Sequence, residues 1–149
     1  MTRASPELLM LLQHERALLD QIFGKASYTI ESSDPYRASV RSSALRMTFG
    51  YDPRDASLKS DLGINGPWGD EIAETPHWLR YMDEETAPLR RDAGGLAYLT
   101  ATDQLRAELR LAARVATEIF SNVQKTLEAV SYVRGYRKAY NDWARGAWK

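Results

Sequence analysis

Two histidines and no cysteine leave this chain of 149 residues few groups that could do chemistry. The lack of cysteine excludes a disulfide framework, thiolate zinc sites and thiol nucleophiles. His14 and Glu15 begin the pattern of a zinc-protease helix, but that pattern needs a second histidine at position 18, where Leu18 stands. The pair therefore reads as a polar helix face. Glu74 and His77 have the spacing of a carboxylate–histidine metal pair. Di-metal bundles need two such pairs and further glutamates, and Pro76 interrupts this one, so loop charge is the better account. Ser42, Ser43, Ser57 and Ser60 lie in no strand–turn–helix context that would make a nucleophile. Glycines 63, 66 and 69 carry no phosphate-binding fingerprint, since Pro67 intervenes and no helix starts there. No catalytic residue, metal or cofactor is expected from these patterns.

Charge offers more. Twenty basic and twenty acidic residues balance over the whole chain, which argues against generic nucleic-acid binding. The distribution is uneven. Between 68 and 85, Asp70, Glu71, Glu74, Asp83, Glu84 and Glu85 stand beside Trp68, Trp78 and Tyr81, with Arg80 the only cation. Acidic residues mixed with tryptophan and tyrosine in loop-rich surroundings suit a protein interface, where aromatics anchor and charge steers. The competing reading is a solvated acidic loop whose tryptophans plug the core. Between 131 and 149, Arg134, Arg137, Lys138, Arg145 and Lys149 face only Asp142. Aromatics interleave there, which is also a nucleic-acid pattern. Tyr132, Tyr136 and Tyr140 fall four apart, however, so the stripe is expected to pack on the core with the cations in water. Trp143 to Trp148 could form a free aromatic tail instead.

These groups need elements to position them. Ser5-Pro6-Glu7 reads as a helix start, and apolar residues at helical spacing from Leu8 to Phe23 predict a helix over 6–23. The period then falls to two. Tyr28 and Ile30, then Ala38 and Val40, then Leu45, Met47, Phe49 and Tyr51, then Leu58, Leu62 and Ile64 predict an antiparallel meander of three or four strands over 26–64. Arg37, Arg41, Arg46 and Lys59 should share its polar face, with Tyr36, Phe49 and Tyr51 on the other. Asp52-Pro53-Arg54-Asp55 is a favourable turn. Ser42-Ser43 is a poor one, because tight hairpins prefer glycine or asparagine. Asn65 to Gly69 should break the sheet and open an irregular segment over 65–100, with a short helix from Thr75-Pro76 to about Met82 and a loop from Asp83 to Gly95. Thr102 should cap a long helix that ends or bends at Ser121-Asn122, followed by a final helix that Gly146 stops. The expected fold is α+β over a single domain: a leading helix, the meander, then helices over 102–146 packed on the sheet.

The longest apolar run near the start, Leu8 to Leu12, is soon followed by His14, Glu15 and Arg16. It suits neither a secretory signal nor a membrane span. The chain therefore reads as cytoplasmic, with no membrane partner.

The layout, with the turn Tyr51-Asp52-Pro53-Arg54 entered by Leu45-Arg46-Met47-Thr48-Phe49, resembles small uncharacterised bacterial proteins, among them immunity proteins of polymorphic toxin systems. The likeness covers residues 6–64 and the helix from 103 to 130. It implies a cytoplasmic antidote that binds a toxin domain. The expected binding residues are Trp68, Asp70, Glu71, Glu74, Trp78, Tyr81, Asp83, Glu84 and Glu85, acting against a basic partner. The alternatives are a nucleic-acid-binding regulator using Arg134, Arg137 and Lys138, and an enzyme with an unrecognised site.

Overall fold

The computed structural model describes residues 7–24, 27–82 and 100–147. Two short helices, α1 (Leu8–Gln13) and α2 (Arg16–Phe23), precede five strands: β1 (Thr29–Asp34), β2 (Arg37–Arg41), β3 (Leu45–Asp52), β4 (Ser57–Gly66) and β5 (Gly69–Glu74). Helix α3 (Thr75–Arg80) follows. Then come α4 (Ala101–Val115), a π-helical turn (Ala116–Phe120) and α5 (Val123–Ala147). The sheet is antiparallel throughout, in the order β1-β2-β3-β4-β5, and the helical C-terminal half packs on it. Among the described residues no helix is long and apolar enough to cross a membrane.

The alternation read from the sequence sets which face is buried. Ala38, Val40, Met47, Phe49, Leu58, Leu62 and Ile64 are buried on one side of the sheet. Tyr36 and Tyr51 stack beside them at 6.4 Å. Against this face lie Leu8, Leu12, Leu19 and Ile22 from the first helices, Leu105, Leu109 and Ala112 from α4, and Ile119 from the π turn. Each buried leucine or isoleucine contributes about 1.5–3 kcal/mol. Arg37, Arg41, Arg46 and Lys59 do share the opposite face, as the register requires. Glu31, Asp61, Asp70 and Glu74 occupy the same face, so it is electrically mixed.

The turns follow local chemistry. Asp34 accepts a hydrogen bond from the Tyr36 N–H at 2.8 Å, and Asp52 accepts one from the Arg54 N–H at 2.9 Å. The Ser42-Ser43 turn is wider than a two-residue hairpin. The Ser42 N–H donates to the Leu45 carbonyl at 2.8 Å, and the Ser42 hydroxyl accepts from the Leu45 N–H at 3.0 Å. A serine side chain thus does what glycine's backbone freedom does in tighter turns.

Four expectations need correction. The leading helix is not continuous over 6–23: it begins at Leu8 and breaks at His14–Glu15. The break turns the Glu15 carboxylate toward α4, where it accepts from Arg106 Nε at 2.5 Å. Asn65 to Gly69 does not end the sheet. Gly66 pairs with Gly69 across Pro67-Trp68, and β5 fills 69–74 of the segment expected to be irregular. Glycine is needed at both corners. Gly69 has φ 93°, and a Cβ on Gly66 would lie 2.6 Å from the Trp68 ring. Third, Thr100 and not Thr102 caps α4, its hydroxyl accepting from the Asp103 N–H. Last, Gly146 lies inside α5, which runs to Ala147. Ser121-Asn122 does separate two helices, because Asn122 Oδ1 accepts from the Lys125 N–H as the cap of α5. The Ser5-Pro6 start, the Asp83–Gly95 loop and Trp148 lie outside the described residues.

Candidate functional site

The acidic segment and the basic helix, separate candidates in the sequence, meet in the fold. Hairpin β4–β5 makes β5 an edge strand, and α5 runs beside it. Glu71 shares the inner face with Leu62 and Ile64, since it pairs with Ile64 in register. Its side chain is only 6% exposed and sits between two guanidiniums. Arg134 Nε lies 2.7 Å from Oε2 and Arg137 Nη1 lies 2.6 Å from Oε1. The same two arginines serve the strand's backbone. Arg134 Nη2 donates to the Trp68 carbonyl at 2.7 Å, and Arg137 Nη2 donates to the Ile72 carbonyl. An open strand edge with free carbonyls invites pairing with another chain; here a helix covers it with cations. One buried carboxylate, one strand carbonyl and one turn carbonyl therefore occupy half of the basic patch.

The other described acids of this segment, Asp70 and Glu74, also have basic neighbours. Asp70 makes a two-pronged bond with Arg46, at 2.8 and 3.1 Å. Arg46 reaches it by crossing Gly63, where a Cβ would crowd its side chain at 3.1 Å. Glu74 lies 3.9 Å from His77 Nε2 and pairs across the sheet with Asp61. Burial, and then the Glu74 charge, hold the Asp61 carboxyl above its ordinary range. Burial pushes the His77 imidazole down; the neighbouring carboxylates oppose this and Arg80 adds to it. Among the described residues no group of three or more His, Cys, Asp or Glu could hold a metal ion.

The aromatic residues divide. Trp78 is fully buried, donates its indole N–H to the Leu62 carbonyl at 2.8 Å and meets Phe120 edge-on at 5.1 Å. A partner cannot touch it in this fold. The Trp68 ring folds back over Gly66 and is half-buried. Tyr81 stays near the surface, its hydroxyl bonded to Glu128 of α5. That bond lowers the Glu128 carboxyl and raises the Tyr81 phenol. Asp83, Glu84 and Glu85 lie outside the described residues.

The C-terminal tyrosines do the reverse of what their spacing predicts. Helix α5 is 25 residues long, about 37 Å, and buries Thr126, Ala129, Val130 and Val133. No residue from 134 to 146 is buried. Tyr132, Tyr136, Tyr140 and Trp143 form an exposed row on one flank, with Tyr140 57% and Trp143 67% exposed. The row continues onto α3. Tyr132 lies 6.4 Å from Tyr81, and Tyr136 lies 4.9 Å from His77 and 5.8 Å from the Arg80 guanidinium. Tyr140 and Trp143 are 6.0 Å apart at the outer end. The periodicity correctly gave a shared face. It could not show that the body of the protein ends beneath that helix after about three turns, at Val133.

Two residues that the sequence reading passed over organise the scaffold beneath. Gln104 and Glu108 are buried, one turn apart on α4. Gln104 accepts from the Leu58 N–H at 2.7 Å and donates to the Ala56 carbonyl at 2.8 Å, holding the turn where Ala56 has φ 54°. Glu108 accepts from the Ser60 hydroxyl at 2.8 Å, and Ser60 lies 2.6 Å from the Thr75 hydroxyl at the start of α3. Their only sequence signal is that each immediately precedes a core leucine, Leu105 or Leu109.

Comparison with protein-family models, with curated proteins and with solved structures finds no match to this chain.

Proposed function

We propose that this chain is a protein-binding module whose working surface is the aromatic row along α5 and α3. The observation that carries this reading is the exposure of four large aromatic side chains in one row on a single helix. Tyrosine and tryptophan dominate interface hot spots, because each brings a large rigid area and a polar edge. Contiguous apolar patches on a free surface mark interaction sites. The acidic hairpin, expected from sequence to be the binding loop, now serves this surface indirectly: its carboxylate and carbonyls fix α5 in place.

In its finer form the reading is an antidote working in the cytoplasm and seated on a toxin domain. What supports that form is the layout likeness over residues 6–64 and 103–130. Co-expression with a toxin domain encoded beside the gene tests it by growth. The wild-type chain should restore growth, and Tyr140→Ala with Trp143→Ala should not, at an unchanged melting temperature. Full protection by the double variant would move the working surface elsewhere. No protection by the wild type would remove the antidote reading.

A further inference from the structure

The sequence pointed to a basic partner, because the acidic segment looked free. The geometry points to the opposite sign, and we propose that the basic flank of distal α5 docks an extended acidic segment of the protein partner. This rests on the protein-binding reading above and names the partner's chemistry.

The argument starts from which charges remain available. Glu71 is buried, Asp70 is bonded to Arg46 and Glu74 neighbours His77. Among the described acids, a basic partner would have to break the Asp70–Arg46 bond and could not reach the buried Glu71. On α5, Arg134, Arg137, Lys138, Asn141, Asp142 and Arg145 line an open concavity. Arg134 and Arg137 share the single Glu71 carboxylate. Lys138 and Arg145 form no ion pair among the described residues. Four cations thus face two carboxylates, Glu71 and Asp142, and the concavity is positive overall.

The fold already contains an example of what this flank holds. Its first two arginines grip β5 and the turn before it, through the Glu71 carboxylate, the Ile72 carbonyl of the strand and the Trp68 carbonyl of the turn. Guanidinium groups suit such planar, paired contacts. The row then continues along the helix. At 1.5 Å per residue, Arg145 lies about 12 Å beyond Arg137, with Lys138 and Asn141 between them. Lys138, Asn141 and Arg145 offer further N–H donors, the last a guanidinium, with no strand of the described residues against them. An extended chain carrying carboxylates is the occupant they fit. The aromatic row lies on the other flank of the same turns, so a protein partner can engage both.

The test uses the full chain and three labelled probes of similar charge magnitude: a ten-residue glutamate-rich peptide, its lysine-rich counterpart and a single-stranded oligonucleotide. Binding is followed by fluorescence anisotropy at several salt concentrations. The acidic peptide should bind, weaken as salt rises and lose at least about tenfold in affinity in Lys138→Glu with Arg145→Glu. The melting temperature of that variant should stay unchanged, since neither residue forms an ion pair among the described residues. Equal or tighter binding of the lysine-rich peptide would overturn the proposal, as would indifference to the double reversal. An oligonucleotide binding about tenfold tighter than the acidic peptide would make the flank a nucleic-acid surface instead. The aromatic variants separate the two readings. If Tyr140→Ala with Trp143→Ala abolishes protection in cells while the charge reversal does not, the protein-binding reading stands and the acidic partner falls.

Discussion

The proximal and distal halves of α5 carry the same residue types to opposite ends. Around Arg134 and Arg137, cations meet a buried carboxylate and strand carbonyls, and Val130 and Val133 are in the core. Around Lys138 and Arg145, the cations form no ion pair among the described residues, with Asp142 beside them in the same concavity, and Tyr140 and Trp143 stand in solvent. Composition does not separate the two halves. What separates them is whether β5 and α3 lie alongside. The same arginine that holds a structure together at one turn is available for a partner two turns later.

This comparison can be broken or sharpened by substitution. Trp78→Ala should have the largest effect, a loss of about 3–5 kcal/mol in denaturant unfolding, because it empties a buried site and orphans the Leu62 carbonyl. Glu71→Ala comes next, at about 2–3 kcal/mol, since it removes the carboxylate from between two guanidiniums. The exposed Asp70→Ala should cost no more than about 1 kcal/mol. Similar losses for Glu71 and Asp70 would show that the clamp is a surface ion pair and that the contrast between halves is weaker than argued.

A pH effect should be smaller. Burial holds the His77 imidazole below its ordinary 6.5, so the unfolded chain takes up this proton first. That contribution is fully present above pH 6.5 and is lost as pH falls below it toward the folded value. His77→Gln should flatten the fall in stability in that window, read from unfolding midpoints at stepped pH. An unchanged slope would place the pH dependence on other groups. The smallest stability effect belongs to Tyr140→Ala and Trp143→Ala, within about 0.5 kcal/mol each. A loss near that of Trp78→Ala would mean that the distal aromatics support the fold and are not a free surface.

Much of the scaffold was legible because it depends on near neighbours. The period-two stretches from Ala38 to Ile64 gave the buried face, and the two-faced character of the sheet followed from the register. Asp52 acts within three residues of itself, so its turn was legible locally, whereas Ser121-Asn122 reads in sequence only as an end or a bend, and the fold makes Asn122 the cap of α5. Strand β5 was hidden because Gly66-Pro67-Trp68-Gly69 looks like a breaker; the positive φ of Gly69 and the Trp68 ring lying on Gly66 make it a hairpin. The candidate site was less legible. Its residues were named, yet Trp78 proved to be core and Glu71 a buried anchor.

The sequence by itself determined an α+β chain with one apolar sheet face, a proline-started α3 and a long aromatic, basic final helix. Those features follow from periodicity, turn chemistry and capping, all of which act over a few residues. Only the tertiary structure decided which charges and aromatics are spent inside the molecule. Glu71 and Arg134 are separated by 63 positions, and Tyr136 and His77 meet across two helices that are similarly far apart in sequence. Pairing at such range depends on where the sheet edge and the helices come to lie. The two tracts that looked like rival binding surfaces are for that reason partly each other's partner, and among the described residues the far end of α5 runs on beyond that contact.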